Sequence, residues 1–158
     1  MFMATLILIV SVALFFFYVQ VTCQRILRRR FDKEYYQVIV SANRLEFLSV
    51  RQALGEFDSS ADYARVRMTL KCDYLALTYL LKNAANLKQR YSRDEQLMTL
   101  YFRAALFSLL VRHALKLKEE PAILRLTAVL QYFANVVGQR VSQIRFGDLS
   151  AADYLMNI

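Results

Sequence analysis

Residues 2–21 read FMATLILIVSVALFFFYVQV, and residues 22–33 continue TCQRILRRRFDK. The first stretch is apolar almost without interruption and carries no charge. In a helix rising about 1.5 Å per residue, its length reaches roughly 30 Å, the hydrocarbon thickness of a bilayer. A cleaved secretory signal shows a basic start, a shorter apolar core and small residues before the cut. Nothing basic precedes this run, and Gln20-Val21-Thr22-Cys23 does not fit a cleavage site. The expectation is an uncleaved transmembrane anchor over residues 1–23.

The flanks set its orientation. Arg25, Arg28, Arg29, Arg30 and Lys33 follow the run, and basic residues are retained on the cytoplasmic side. The N-terminus is therefore expected outside, residues 24–33 form a basic juxtamembrane segment, and residues 34–158 form a cytoplasmic domain. The same cluster also suits anionic lipid headgroups, although the topology rule alone accounts for it.

Beyond the anchor the composition argues for helices. The chain of 158 residues has three glycines and one proline, too few turn-formers for a β-rich or α/β domain of this size. The fold class expected is all-α: the N-terminal transmembrane helix, then a compact bundle of about four helices joined by short connections.

The first bundle helix is expected over about 33–54, ended by Gly55. Asp58, Ser59 and Ser60 offer N-caps for a second, running to about Asn86. Its apolar stripe is Val66, Leu70, Tyr74, Leu77, Leu81 and Ala84, at spacings of three and four.

Ser92 and Glu95 compose a capping box for a third helix reaching about Lys118. That helix is apolar on nearly every side between Ala104 and Val111, which marks it as the expected centre of the bundle. Pro121 opens the fourth at a first-turn position, where its missing N–H costs nothing. Ile123, Leu126, Leu130, Phe133, Val137, Val141 and Ile144 line one face, with Arg125, Gln131, Asn135, Gln139 and Gln143 largely on the other. A turn at Phe146-Gly147-Asp148 and a short terminal helix over about 150–156 are expected to follow.

Catalytic motifs are not assembled by the sequence. His113 is the single histidine, and Leu109, Leu110, Lys116 and Leu117 at helical spacing around it are not metal ligands. Asp94-Glu95 and Glu119-Glu120 fit helix N-termini, where the macrodipole accounts for them. Three scattered glycines give no phosphate-binding loop. No enzyme activity, cofactor or metal is expected. Cys23 and Cys72 are far apart, and the cytoplasmic topology argues against a disulfide; Cys23 sits where S-acylation is chemically feasible.

Asp73 interrupts the apolar side of the second helix, so a buried ion pair with Arg103 or Arg112 is expected, fixing register more than adding stability. Net charge is +8, which raises nucleic acid as a partner. Five of the 21 Lys and Arg belong to the anchor flank, so the remaining 16 against 13 carboxylates leave the domain about +3. Arg65, Arg67, Lys82, Lys88, Arg90 and Arg93 form only a loose band, without a nucleic-acid-binding motif.

With 10 tyrosines and 11 phenylalanines, the aromatic supply exceeds what four helices easily bury. Tyr35, Tyr36, Tyr63, Tyr91, Tyr101 and Tyr132 are the candidate interface residues, since Tyr gives large contact area at low entropy cost. The role expected is a noncatalytic subunit, scaffold or assembly factor of a membrane-bound protein complex. Its partners would be other protein subunits and the lipid bilayer, with a homo-oligomer as an alternative. The runner-up is a membrane-tethered binding module for nucleic acid or a soluble signalling partner.

Overall fold

The computed structural model describes residues 2–31, 33–54, 60–84 and 92–156; from 144 onward, and at 60, 61 and 84, only the backbone is described. All secondary structure among them is helical. Six helices stand where an anchor and about four were expected: α1 (Phe2–Leu27), α2 (Tyr36–Asn43), α3 (Phe47–Gln52), α4 (Ser60–Ala84), α5 (Arg93–Ala114) and α6 (Glu120–Met156). The chain divides into two units, Met1–Arg30 and Phe31–Ile158.

The first unit is α1 itself. Its 26 residues make a helix about 39 Å long. It is long and apolar enough to cross a membrane. Its two threonine hydroxyls are turned back onto its own backbone: Thr5 Oγ1 donates to Phe2 O at 3.0 Å and Thr22 Oγ1 to Tyr18 O at 2.8 Å. Such back-bonds satisfy a polar group where water is absent.

The second unit is organised around α6, which packs against α2, α3, α4 and α5. From Tyr132 to Gly138 every residue of α6 is buried, so these two turns are enclosed on all sides. This corrects the expectation that α5 forms the centre. The all-round apolar character of α5 is instead spent partly on solvent: Leu100, Phe107 and Leu110 are exposed, and only one edge, including Met98, Phe102, Ala105 and Leu109, is buried. The stripes expected on α4 and α6 face inward over most of their length, with Val66, Leu70, Leu77 and Leu81 on one and Ile123, Leu126, Leu130, Phe133 and Val137 on the other buried. Tyr74 is half-buried, Val141 is exposed, and the side chains of Ala84 and Ile144 lie outside the described residues. Asn135, expected on the polar side of α6, is buried as well.

Aromatic rings fill the space among the three long helices. Tyr74 of α4 stacks on Phe102 of α5 at 4.0 Å between centroids, and meets Phe133 of α6 edge-on at 6.0 Å. Offset stacks and edge contacts are the geometries that ring quadrupoles favour.

Three boundaries differ from expectation. The single helix over 33–54 is two, because Arg44 adopts the left-handed region (φ 52°, ψ 43°) and turns the chain between α2 and α3. α5 stops at Ala114 rather than near Lys118. There Leu117 N–H bonds Arg112 O at 2.8 Å and Lys116 N–H bonds His113 O at 3.1 Å, a Schellman closure with Lys116 at φ 52° in the place glycine usually takes. α6 runs unbroken through Gly147 to Met156; a glycine inside a helix costs only about 1 kcal/mol relative to Ala and does not by itself end it. The capping box at Ser92 and Glu95 is formed as expected.

Candidate functional site

Two buried polar side chains of the second unit, Asn135 and Asp73, lie where the two short helices meet the long ones. An α-helix begins with N–H groups that have no partner of their own, and neither α2 nor α3 has a capping side chain at its own N-cap, Tyr35 or Glu46. Both are capped from elsewhere in the fold. Asn135 Oδ1, on α6, accepts the N–H groups of Tyr35 and Tyr36, each at 2.9 Å. Asp73 Oδ2, on α4, accepts those of Glu46 at 2.9 Å and Phe47 at 2.7 Å.

The second arrangement replaces the ion pair expected for Asp73. Arg103 is exposed on α5, and Arg112 Nη1 donates to Lys118 O at 3.0 Å. The carboxylate is held by two backbone amides at a helix start, which satisfy a charge without bringing a second one out of water. Burial pushes the Asp73 carboxyl above the usual carboxylate range; the N–H groups of Phe47 and Glu46 oppose this, and the nearby Glu46 carboxylate adds to it.

α2 sits so close on α6 that Gly138 has no room for a side chain. A Cβ added there would overlap Tyr35 Cβ and Cγ and touch Ile39. The small residue is therefore required by the approach of α2, with Asn135 one turn earlier fixing its start.

A buried ion pair does exist, between residues the sequence did not single out as partners. Arg140 Nη2 meets Glu95 Oε1 at 2.5 Å, tying the start of α5 to α6, with both side chains largely buried. Glu95 also accepts Ser92 N–H through Oε2 at 3.2 Å, so one carboxylate serves both the capping box and the helix contact. The box was legible from spacing; a pairing across 45 residues had no local signal.

His113 makes a structural junction. Its Nδ1 lies 2.7 Å from Glu119 Oε1, and its ring stacks on Tyr63 at 3.7 Å and 5°. Tyr63, expected at an interface, is thereby engaged within the fold. Tyr132 is buried, with its ring against Phe31 and Phe133, and this corrects its assignment as an interface residue. Tyr35, Tyr36 and Tyr101 are half-buried. Tyr91 lies outside the described residues. Arg25, Arg28, Arg29, Arg30 and Lys33 are all exposed. Cys23 and Cys72 are free thiols.

A cleft of about 330 Å³ opens between α3 and α4, with Glu46, Ser49, Asp62 and Arg65 at its rim and Val50 and Val66 in its floor. Ser49 Oγ is committed to Glu46 O at 2.6 Å. Among the described residues no group of three or more His, Cys, Asp or Glu stands ready to hold a metal ion. Hydrogen-bond satisfaction is complete among the described buried side-chain N and O atoms. Asp73, Asn135, Glu95 and Arg140 thus act chemically as fasteners of helix ends. Compared with family models, curated proteins and solved structures, the chain matches none.

Proposed function

We propose that the protein is a noncatalytic subunit, scaffold or assembly factor of a membrane-bound complex, anchored by α1 and docking partners through the helical unit that follows. The observation that carries this reading is the pairing in one chain of a 26-residue apolar helix, long enough to span, with a separate helical unit. Of the buried polar side chains described in that unit, Asp73, Glu95 and Asn135 serve helix ends and Thr127 bonds back to Leu124 O within α6. Basic residues Arg25, Arg28, Arg29 and Arg30 at the end of α1 place the helical unit in the cytoplasm on this reading. Confinement to a membrane raises the effective concentration of such a unit at a partner already there.

The docking surface proposed for a protein partner is the outer side of α5. Leu100, Phe107 and Leu110 are exposed there, 62, 68 and 40% open, although large apolar side chains on one helix face are normally turned inward. Arg103 stands among them and supplies a directional polar contact of the kind enriched at interfaces.

The test is the native mass and composition of the tagged full-length protein, extracted in mild detergent from its own membrane. Defined partners at fixed ratio, lost when Phe107 is changed to Glu, are the expected result. A chain that runs alone, or is recovered from the soluble fraction, removes the reading.

A further inference from the structure

The outer face of α4 combines two properties that no packing role explains. Met68, Leu75 and Tyr79 are 68, 56 and 69% exposed, as open as Leu6, Ile9 and Phe17 of α1. Taken at about 100° per residue, Met68, Cys72, Leu75 and Tyr79 fall within an arc of about 60° on the helix surface. Lys71 and Lys82 run along one edge of that arc and Arg65 along the other, all exposed. α4 has two carboxylates, Asp62 and Asp73, and at the same spacing both lie more than about 90° from the centre of the apolar arc. Asp73 is moreover buried under the start of α3. The face that solvent sees is therefore apolar in the middle and cationic at both margins, with no acid on it.

We propose that this face of α4 is a membrane-docking surface that lies in the headgroup region of an anionic leaflet. An apolar strip bordered by Lys and Arg is the pattern by which a helix settles parallel to a bilayer. The strip enters the boundary between headgroups and acyl chains, and the bases meet lipid phosphates. Tyr79 suits the same depth, with an apolar ring and a polar tip. Charge complementarity selects the occupant: a protein partner for this strip would need a carboxylate rim to match the bases, whereas an anionic leaflet supplies the negative charge over its whole area. Nucleic acid would use the bases and leave Met68 and Leu75 without a role. The proposal adds a second membrane contact to the anchoring by α1 on which it rests, and the two are separable by experiment.

Cys72 lies within the arc and is a free, exposed thiol, so it can carry the probe. The full-length chain with Cys23→Ser is labelled at Cys72 with a nitroxide. It is reconstituted into vesicles of phosphatidylcholine alone or mixed with phosphatidylglycerol. Collision with dioxygen, which concentrates in lipid, is compared with collision with a water-soluble nickel chelate.

In the anionic vesicles the label is expected to gain oxygen contact and lose chelate contact, and raised salt should undo the change. Lys71→Gln and Lys82→Gln are each expected to lower the docked-to-free ratio about fivefold, the equivalent of about 1 kcal/mol per basic residue at an anionic surface. A label equally open to the chelate in both lipids overturns the proposal. So does a label shielded in phosphatidylcholine or in detergent, since a second copy or another protein surface would then cover α4. A carbonate wash separates the two membrane contacts: a chain retained on vesicles with a wet label keeps the anchor and loses the docking face. A chain released by carbonate whose label is shielded only by anionic lipid does the reverse.

Discussion

α2 and α3 are both short helices without caps of their own, and both begin on a side chain lent by a long helix. The lender for α2 is a neutral amide, Asn135, and for α3 a carboxylate, Asp73. The geometry is nearly the same, two N–H groups on one oxygen. The surroundings differ. Asn135 occupies the turns of α6 where every residue from Tyr132 to Gly138 is buried, whereas Asp73 follows the exposed Cys72 on α4, and its partner Glu46 is exposed. An amide gives up weak hydration and can be enclosed, while a carboxylate gives up far more and is retained where the helix dipole and short N–H bonds offset the loss. The two caps themselves are buried alike, 7% open at Asp73 and 5% at Asn135, so the sites differ in what surrounds the cap rather than in the exposure of the cap itself.

Removing the caps should separate the two sites. Asn135→Ala leaves two N–H groups at the start of α2 without an acceptor and opens a void in an enclosed stretch, a loss of about 3 kcal/mol. Thermal unfolding of the full-length protein in mild detergent measures it, and a loss under about 1 kcal/mol would mean that water can replace the amide. Gly138→Ala tests the same region from the steric side. The new Cβ overlaps Tyr35, so α2 must shift, at a cost of about 2 kcal/mol. If α2 is instead loosely seated, this variant gains a few tenths of a kcal/mol from the better helix former.

Asp73→Ala is expected to cost less than Asn135→Ala, about 1.5 kcal/mol, because the lost bonds are partly offset by no longer burying a charge. Equal losses at the two sites would mean that the charge on the cap makes no difference to its worth.

These caps also mark where the sequence could be read and where it could not. Helical class, the apolar N-terminal helix, the inward stripes of α4 and α6 and the capping box at Ser92 follow from spacings within one helix, and each was legible. Asp73 was visible as a polar residue on an apolar side, yet its partner was misjudged. Amides at Glu46 and Phe47 carry no sequence signature, whereas arginines do. Asn135 was concealed differently, since a polar residue among Gln131 and Gln139 reads as part of a solvated face until α2 is known to cover it. The break at Arg44 belongs to the same class. An arginine in the left-handed region opposes local preference by about 1 kcal/mol, and it coincides with a tertiary cap that starts α3 three residues later. The strip proposed on α4 was only partly legible: Arg65 and Lys82 belong to the loose basic band of the sequence, while Lys71 at its edge and the exposure of Met68, Leu75 and Tyr79 required the fold.

The smallest change isolates the charge alone, because Asp73→Asn gives α3 the kind of cap that α2 already has. The amide oxygen can accept the same two N–H groups, so the effect on stability near neutral pH is expected to stay under about 1 kcal/mol. Its signature is in the pH dependence. Burial raises the Asp73 carboxyl in the folded chain above its ordinary value, so the folded state binds a proton more readily than the unfolded state between those two values. Stability from this group is therefore highest below the ordinary carboxylate value. It falls as pH rises through the window up to the raised one and stays low above it. Asp73→Asn removes that slope, and the variant should gain on the parent protein as pH climbs through the window. Melting curves of both proteins across the acidic range decide the matter. If the parent is instead stabilised relative to Asp73→Asn as pH rises, the N–H groups of Glu46 and Phe47 outweigh desolvation, and a charged cap is the stronger fastener even in a nearly closed site.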